Sequence, residues 1–288
     1  MYKKIDSFLM KEFIVYIIIL SIGIFGCGEK AMKTTDQNRP IMSLNDISTT
    51  AWQKLSQQRI YFGHQSVGSN IIDGITKITG SNQATKLNIV KIDDSRAFDQ
   101  PVFAHEDIGK NEWPLTKTKA FRERLQSGAG EKIDIAFLKF CFWDIRSKTD
   151  VEEVFKDYKE TLASLKEQYP KIKFVHFTVP LMTHPTGITP AIKRIFNLPV
   201  EWDLDNIKRN QLNRLIRSEY GGKEPIFDIA SIESTLPDGR RALFSNQGND
   251  YPYLVQGYTE DGGHLNQEAR KQVGEQLLTM LARLSETL

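Results

Sequence analysis

Residues 59–79 read RIYFGHQSVGSNIIDGITKIT, and the pattern changes period once. Residues 59–62 are a short apolar run of strand character, whereas Ile71, Ile72, Ile75 and Ile78 recur at helical spacing across residues 69–79. Between them lies Gly63-His64-Gln65-Ser66-Val67-Gly68, a tight passage from strand to helix. Such a unit opens a parallel sheet when further strands and helices alternate after it.

They do alternate. A helix-like stretch covers residues 47–58, and a second strand is expected at residues 87–92. Residues 133–142, IDIAFLKFCF, are apolar apart from Asp134 and Lys139, as a central strand covered on both faces requires. Residues 151–169 have the helical period and stop at Pro170; residues 173–179 are the fourth strand. A helix over residues 204–220 closes at Gly221-Gly222, and residues 225–229 form the fifth strand. The last helix starts at about Asn266, with Ala269, Val273, Leu277, Met280, Leu281 and Leu284 as its apolar stripe. Right-handed crossovers then give an α/β protein, a three-layer α/β/α sandwich around a central five-stranded parallel sheet.

The 288 residues are 40% hydrophobic and 26% charged with a formal net charge of +2, an ordinary globular balance. It excludes a disordered chain and lacks the basic excess of a general nucleic-acid binder, so no nucleic-acid partner is expected. Two cysteines, Cys27 and Cys141, do not make a disulfide scaffold. The apolar residues are concentrated in residues 13–25, FIVYIIILSIGIF, behind Lys3, Lys4 and Lys11. As a helix this run is about 20 Å long, short of a hydrocarbon core of about 30 Å, which suits a signal peptide better than a membrane span. It ends in Ile24-Phe25-Gly26-Cys27, which resembles a bacterial lipobox. That resemblance implies that residues 1–26 are a removed signal peptide and that Cys27 carries lipid in the cell envelope. Residues 27–45 then act as a polar tether and residues 46–288 as one domain. Without residues 1–26 the net charge is +1, so membrane attachment would depend on Cys27.

Ligand groups of parallel sheets collect at the carboxyl ends of the strands. Ser66 is placed there, at the start of a helix whose N–H groups and positive dipole end can stabilise an oxyanion, although a serine in that place also commonly caps the helix. Asp261-Gly262-Gly263-His264-Leu265-Asn266 precedes the last helix; it is either a surface loop capped by Asn266 or a base with its orienting carboxylate three residues away. In combination, an early serine on a strand-to-helix turn and a late Asp-x-x-His point to nucleophilic catalysis.

On these residues the domain resembles the SGNH, or GDSL-like, serine hydrolase superfamily. The resemblance runs from Ile60 to the C-terminal helix. It implies a flavodoxin-like α/β/α fold, no cofactor and no metal, and acyl-ester hydrolysis with Ser66 as nucleophile, His264 as base and Asp261 as its orienting group. The family's Gly-Asp-Ser reads His64-Gln65-Ser66 here, and its Gly-x-Asn-Asp reads Cys141-Phe142-Trp143-Asp144, without the asparagine that donates to the oxyanion. Gly109 matches the family's oxyanion glycine, and Asn111 and then Gln65 are the candidates for the missing donor.

The remaining constellations are weaker. Residues 180–203 form a long connection that can cover the site, with His184 in it as a substrate contact or a solvated loop residue. Phe244, Tyr251, Tyr253 and Tyr258 suit a sugar ring or ordinary loop packing. Histidines 64, 105, 176, 184 and 264 have no metal-ligand spacing, and Cys141 reads as a core thiol. Asp144 and Asp228 follow strands and can line a cleft or cap a helix. The expected function is a cell-envelope esterase or acyltransferase acting on a small acyl ester or an acylated glycan; the alternative is a catalytically silent domain that binds glycan or a partner protein. The oligomeric state is not legible.

Overall fold

Strand β1 (Arg59–His64) is apolar from Ile60 to Phe62 because neither face of it meets solvent there. Ile60 and Phe62 point to one side of the sheet and Tyr61 to the other, all essentially buried. A computed structural model of the chain describes residue 44 and residues 47–80, 86–92, 95–196 and 198–288, all within a compact unit running Ile41–Leu288. The expected signal peptide and Cys27 lie outside the described residues, as does nearly all of the tether.

β2 (Ile89–Lys91), β3 (Val102–Asp107), β4 (Ile135–Leu138) and β5 (Lys173–Phe174) join β1 in a five-stranded parallel sheet of order β2-β3-β1-β4-β5. Past Val175 the chain continues as β6 (His176–Phe177), which pairs in parallel with β7 (Ile226–Phe227). The expected fourth strand is thus one extended run shared between two partners, since Val175 still donates to Ala136 while His176 donates to Pro225. The five-stranded parallel sheet is as expected, but its membership is not: β3 had no counterpart in the sequence reading, and residues 225–229 supply the partner of β6.

The layers follow from the pleat. Ile60, Phe62, Phe103, Ile135 and Phe137 pack against α1 (Thr49–Ser56), α2 (Val67–Gly80) and, further on, α7 (Ile229–Glu233) and α8 (Gln267–Ser285). Tyr61, Ala104, Ala136 and Leu138 pack against α3 (Pro114–Arg124), α4 (Val151–Gln168) and α6 (Glu201–Tyr220). The small Ala104 and Ala136 leave room for the Tyr61 ring, which stacks on Phe121 of α3 with centroids 5.4 Å apart. Each such fully buried aromatic contributes about 1.5–3 kcal/mol. A helix α5 (Ile188–Ile195) and a hairpin of β8 (Leu243–Asn246) and β9 (Asn249–Pro252) decorate the connections.

Two of these helices matter for the site. α2 and α8 cross at Gly74 and Gly274, where the backbones touch: a methyl on Gly74 would lie 2.0 Å from the Arg270 carbonyl oxygen. Only glycine permits this approach. Arg270 pairs with Asp73 at 2.9 Å across the same contact.

Candidate active site

Ser66 occupies the one residue between the end of β1 and the start of α2 that the turn forces into the left-handed region, at φ 57°. A non-glycine residue held there is strained. Its carbonyl accepts from Ser69 at 2.8 Å, starting α2, while its hydroxyl is left for another partner. Gly68 completes the turn: a methyl there would sit 2.4 Å from the His64 side chain, so the second glycine of the stretch exists to admit His64.

That partner is His264, whose Nε2 lies 2.7 Å from Ser66 Oγ although the residues are 198 positions apart. His264 Nδ1 meets Asp261 Oδ2 at 2.6 Å. The second oxygen, Oδ1, accepts from the N–H groups of Gly263 at 2.9 Å and His264 at 2.8 Å. Burial works against charge on Asp261, but these backbone donors and the imidazole outweigh it and hold the carboxyl well below the usual carboxylate range. Asn266 caps α8 by accepting from Ala269, so the cap and the Asp-x-x-His arrangement coexist in one loop.

Three further contacts fix this loop, and none was anticipated from the sequence. Asn70, one turn into α2, accepts from the Leu265 N–H at 2.9 Å and thereby ties the helix that carries Ser66 to the residue after His264. Phe142, just after β4, sets its ring edge-on to His264 with centroids 5.3 Å apart, and Gly263 lacks a side chain because that ring would meet it at 2.8 Å. Thr259 donates to Asp261 Oδ1. A polar residue one helical turn after a candidate nucleophile was the available signal for Asn70; Phe142 had none beyond its apolar character.

Gly109 is left-handed at φ 62° in a turn closed against Lys117, and its carbonyl accepts from Gln65 Nε2 at 2.8 Å. Gln65 thus braces the serine turn against the glycine turn, with one amide N–H committed and its buried Oε1 unpartnered. Asn111 is exposed and has its Oδ1 held by Lys117 Nζ at 3.1 Å, which leaves its Nδ2 as the donating end. Lys117 is itself buried and pairs with Asp144 at 2.7 Å. Asp144 also accepts from the N–H groups of Cys141 and Glu112, so it ties the two loops that follow β3 and β4 together. Trp143, where the resemblance led to an expected asparagine, is half-buried, with Arg146 over its ring at 5.1 Å. Cys141 is buried, as a core thiol should be.

The other candidates take structural roles. Asp228 caps α7 and pairs with Arg217. His184 is neither solvated nor free: it bonds Asp203 at 2.9 Å and stacks on Phe244. Phe244, Tyr251 and Tyr258 are buried, so packing, and not sugar contact, explains them. Among the described residues no group of side chains could hold a metal ion.

No known family profile matches the chain, and no curated protein matches it. Solved structures do. An acetyl esterase is 11% identical, with 79% of this chain and 97% of that one covered at a TM-score of 0.47. A carbohydrate esterase family 3 protein from Talaromyces cellulolyticus is 10% identical, with 80% and 97% covered at 0.45. An acetyl xylan esterase is 14% identical, with 76% and 96% covered at 0.42.

Proposed function

We propose that this chain is a serine esterase of the SGNH type, acting on a small acyl ester carried by a carbohydrate of the bacterial cell envelope. One observation carries the reading: the continuous relay Ser66 Oγ–His264 Nε2 at 2.7 Å and His264 Nδ1–Asp261 Oδ2 at 2.6 Å, anchored by two backbone N–H groups on the carboxylate. His264 takes the hydroxyl proton as Ser66 Oγ attacks the ester carbonyl carbon; the tetrahedral adduct collapses as the same proton passes to the departing alkoxide. Water then attacks the acyl-serine, giving a proton to His264, which returns it to Ser66 Oγ as the carboxylic acid leaves. An alcohol in place of water would make the reaction an acyl transfer.

The Ser66 N–H at the start of α2, the Gly109 N–H and the Asn111 amide are the proposed oxyanion donors, with Lys117 holding Asn111 by its carbonyl so that the N–H end is presented. The sugar reading is supported by Trp113, which is exposed, and Trp143, which together border a groove of about 470 Å³ that Asp144 and Arg146 also line. Attachment of the mature chain through lipid on Cys27 is part of the same proposal, resting on the lipobox-like sequence.

A serine-directed fluorophosphonate should label the protein and fail to label Ser66→Ala. Ser66→Ala and His264→Ala should each lose turnover of acetylated glycans and of simple esters while keeping the wild-type circular dichroism spectrum. Wild-type hydrolysis by either variant would refute the assignment.

A further inference from the structure

Helix α5 (Ile188–Ile195) is turned inside out. One of its two cations faces the protein: Arg194 donates to Asp203 Oδ2 from Nε at 3.0 Å and from Nη2 at 2.8 Å, and to the Pro185 carbonyl at 2.9 Å, while Asp203 is buried. Its apolar side chains face water. Ile188 is 80% exposed, Ile195 75% and Phe196 69%, with Ile192 and Leu198 beside them, and no residue of the helix is buried. A helix bathed in water on one face shows the opposite arrangement. Single exposed isoleucines need no explanation, but five large apolar side chains on one short segment form a patch that marks a contact surface.

The patch stands on the rim of the candidate active site. At one end of its segment Thr183 donates to the Gly262 carbonyl at 2.9 Å; at the other, the Trp202 ring lies so close to Gly262 that a methyl there would be 3.0 Å from it. Both ends therefore grip the loop that supplies Asp261 and His264.

We infer that α5 is a membrane-docking surface, whose apolar face enters the boundary between headgroups and acyl chains of a lipid bilayer. The side chains fit that occupant: aliphatic residues and one phenylalanine at the centre, the exposed Lys193 for headgroup phosphates, and Trp202 at the edge. A protein-binding hot spot would centre on tryptophan, tyrosine or an available arginine, and Arg194 is already spent inward. The chain outside the described residues fits as well. The lipobox-like Cys27 precedes Ile47 by only 20 positions, so lipid on Cys27 would keep a domain of roughly 18 Å radius of gyration close to the bilayer. A body so fastened always has a bilayer within reach, and α5 decides which face meets it. This tether argument rests on the anchoring proposed above, whereas the patch itself does not.

The test therefore uses residues 41–288, the compact unit that contains both hydrophobic cores and lacks Cys27. Vesicles of phosphatidylcholine with a minority of phosphatidylglycerol should sediment the wild-type body, and Ile192→Asp, Ile195→Asp and Phe196→Asp should each lower the bound fraction about tenfold. All three should keep the wild-type Tm and the wild-type rate on a water-soluble ester. Absence of vesicle binding by the wild type, or equal binding by the variants, overturns the inference. So does a concentration-dependent dimer of the wild type that Phe196→Asp dissolves, because the face would then belong to a second copy. An inactive but vesicle-binding protein would refute the esterase reading alone, and an active protein without vesicle binding the docking alone.

Discussion

Gly74→Ala would place a methyl carbon 2.0 Å from the Arg270 carbonyl oxygen and 2.7 Å from its carbonyl carbon. An ordinary carbon–oxygen contact needs about 3.3 Å, so α2 and α8 must separate or slide by roughly 1 Å. Both atoms met are backbone, so no side chain can swing aside. Overpacking of this kind costs about 1–3 kcal/mol, against which the better helix propensity of alanine returns at most about 1 kcal/mol. The chemical consequence should exceed the thermodynamic one. Ser66 immediately precedes α2 and His264 lies just before α8, so the same displacement stretches their 2.7 Å contact and the Asn70–Leu265 hydrogen bond. A misplacement of about 1 Å can cost on the order of 100-fold in rate. Urea denaturation should show a lower midpoint with unchanged slope, and kcat for a simple ester should fall far more than stability would explain. Gly80→Ala is the matched control, since a methyl there meets nothing within 4 Å. If Gly74→Ala matched Gly80→Ala in both stability and kcat, the helix crossing would not be what holds the serine against the histidine.

Lys117→Met should destabilise by about 3–5 kcal/mol in urea denaturation, because it leaves the fully buried Asp144 carboxylate without its partner 2.7 Å away. Acid should destabilise the protein from about neutral pH downward. Burial lowers His64 from 6.5 to about 2 and His176 from 6.5 to about 4, so between these values the unfolded chain binds protons that the folded one refuses. Each histidine should then remove about 1 kcal/mol between pH 6.5 and about 5.5, visible as a falling urea midpoint; a flat profile would show that neither is held neutral.

The Ser66 turn and the Asp-x-x-His loop were legible as local structure: a change of period marks one, and a three-residue spacing lets a carboxylate reach an imidazole in the other. The supporting structure was not. β3 begins as Val102-Phe103-Ala104 but ends in His105-Glu106-Asp107, and this polar half hides a strand whose pairing to β1 is purely tertiary. α3 has almost no apolar stripe, because Lys117, one of its core-facing residues, is a charge bought by Asp144 from another element. The aromatic loop residues that suit sugar stacking turned out to pack on one another and on His184, since composition cannot say which face of a ring is covered. The inverted face of α5 was equally hidden: apolar spacing tells which side chains share a side, and only the Arg194–Asp203 pair shows which way that side turns.

The crossing of α2 with α8 also ties the site to folding. Ser66 and His264 are 198 residues apart, and their contact needs the C-terminal helix α8 docked on α2. Bringing together residues so far apart costs the entropy of closing the intervening chain, which the packed helix crossing must offset. A partly folded chain thus carries a serine without its histidine, and recovery of the proposed hydrolysis during refolding should report completion of the whole domain rather than of the half that bears Ser66.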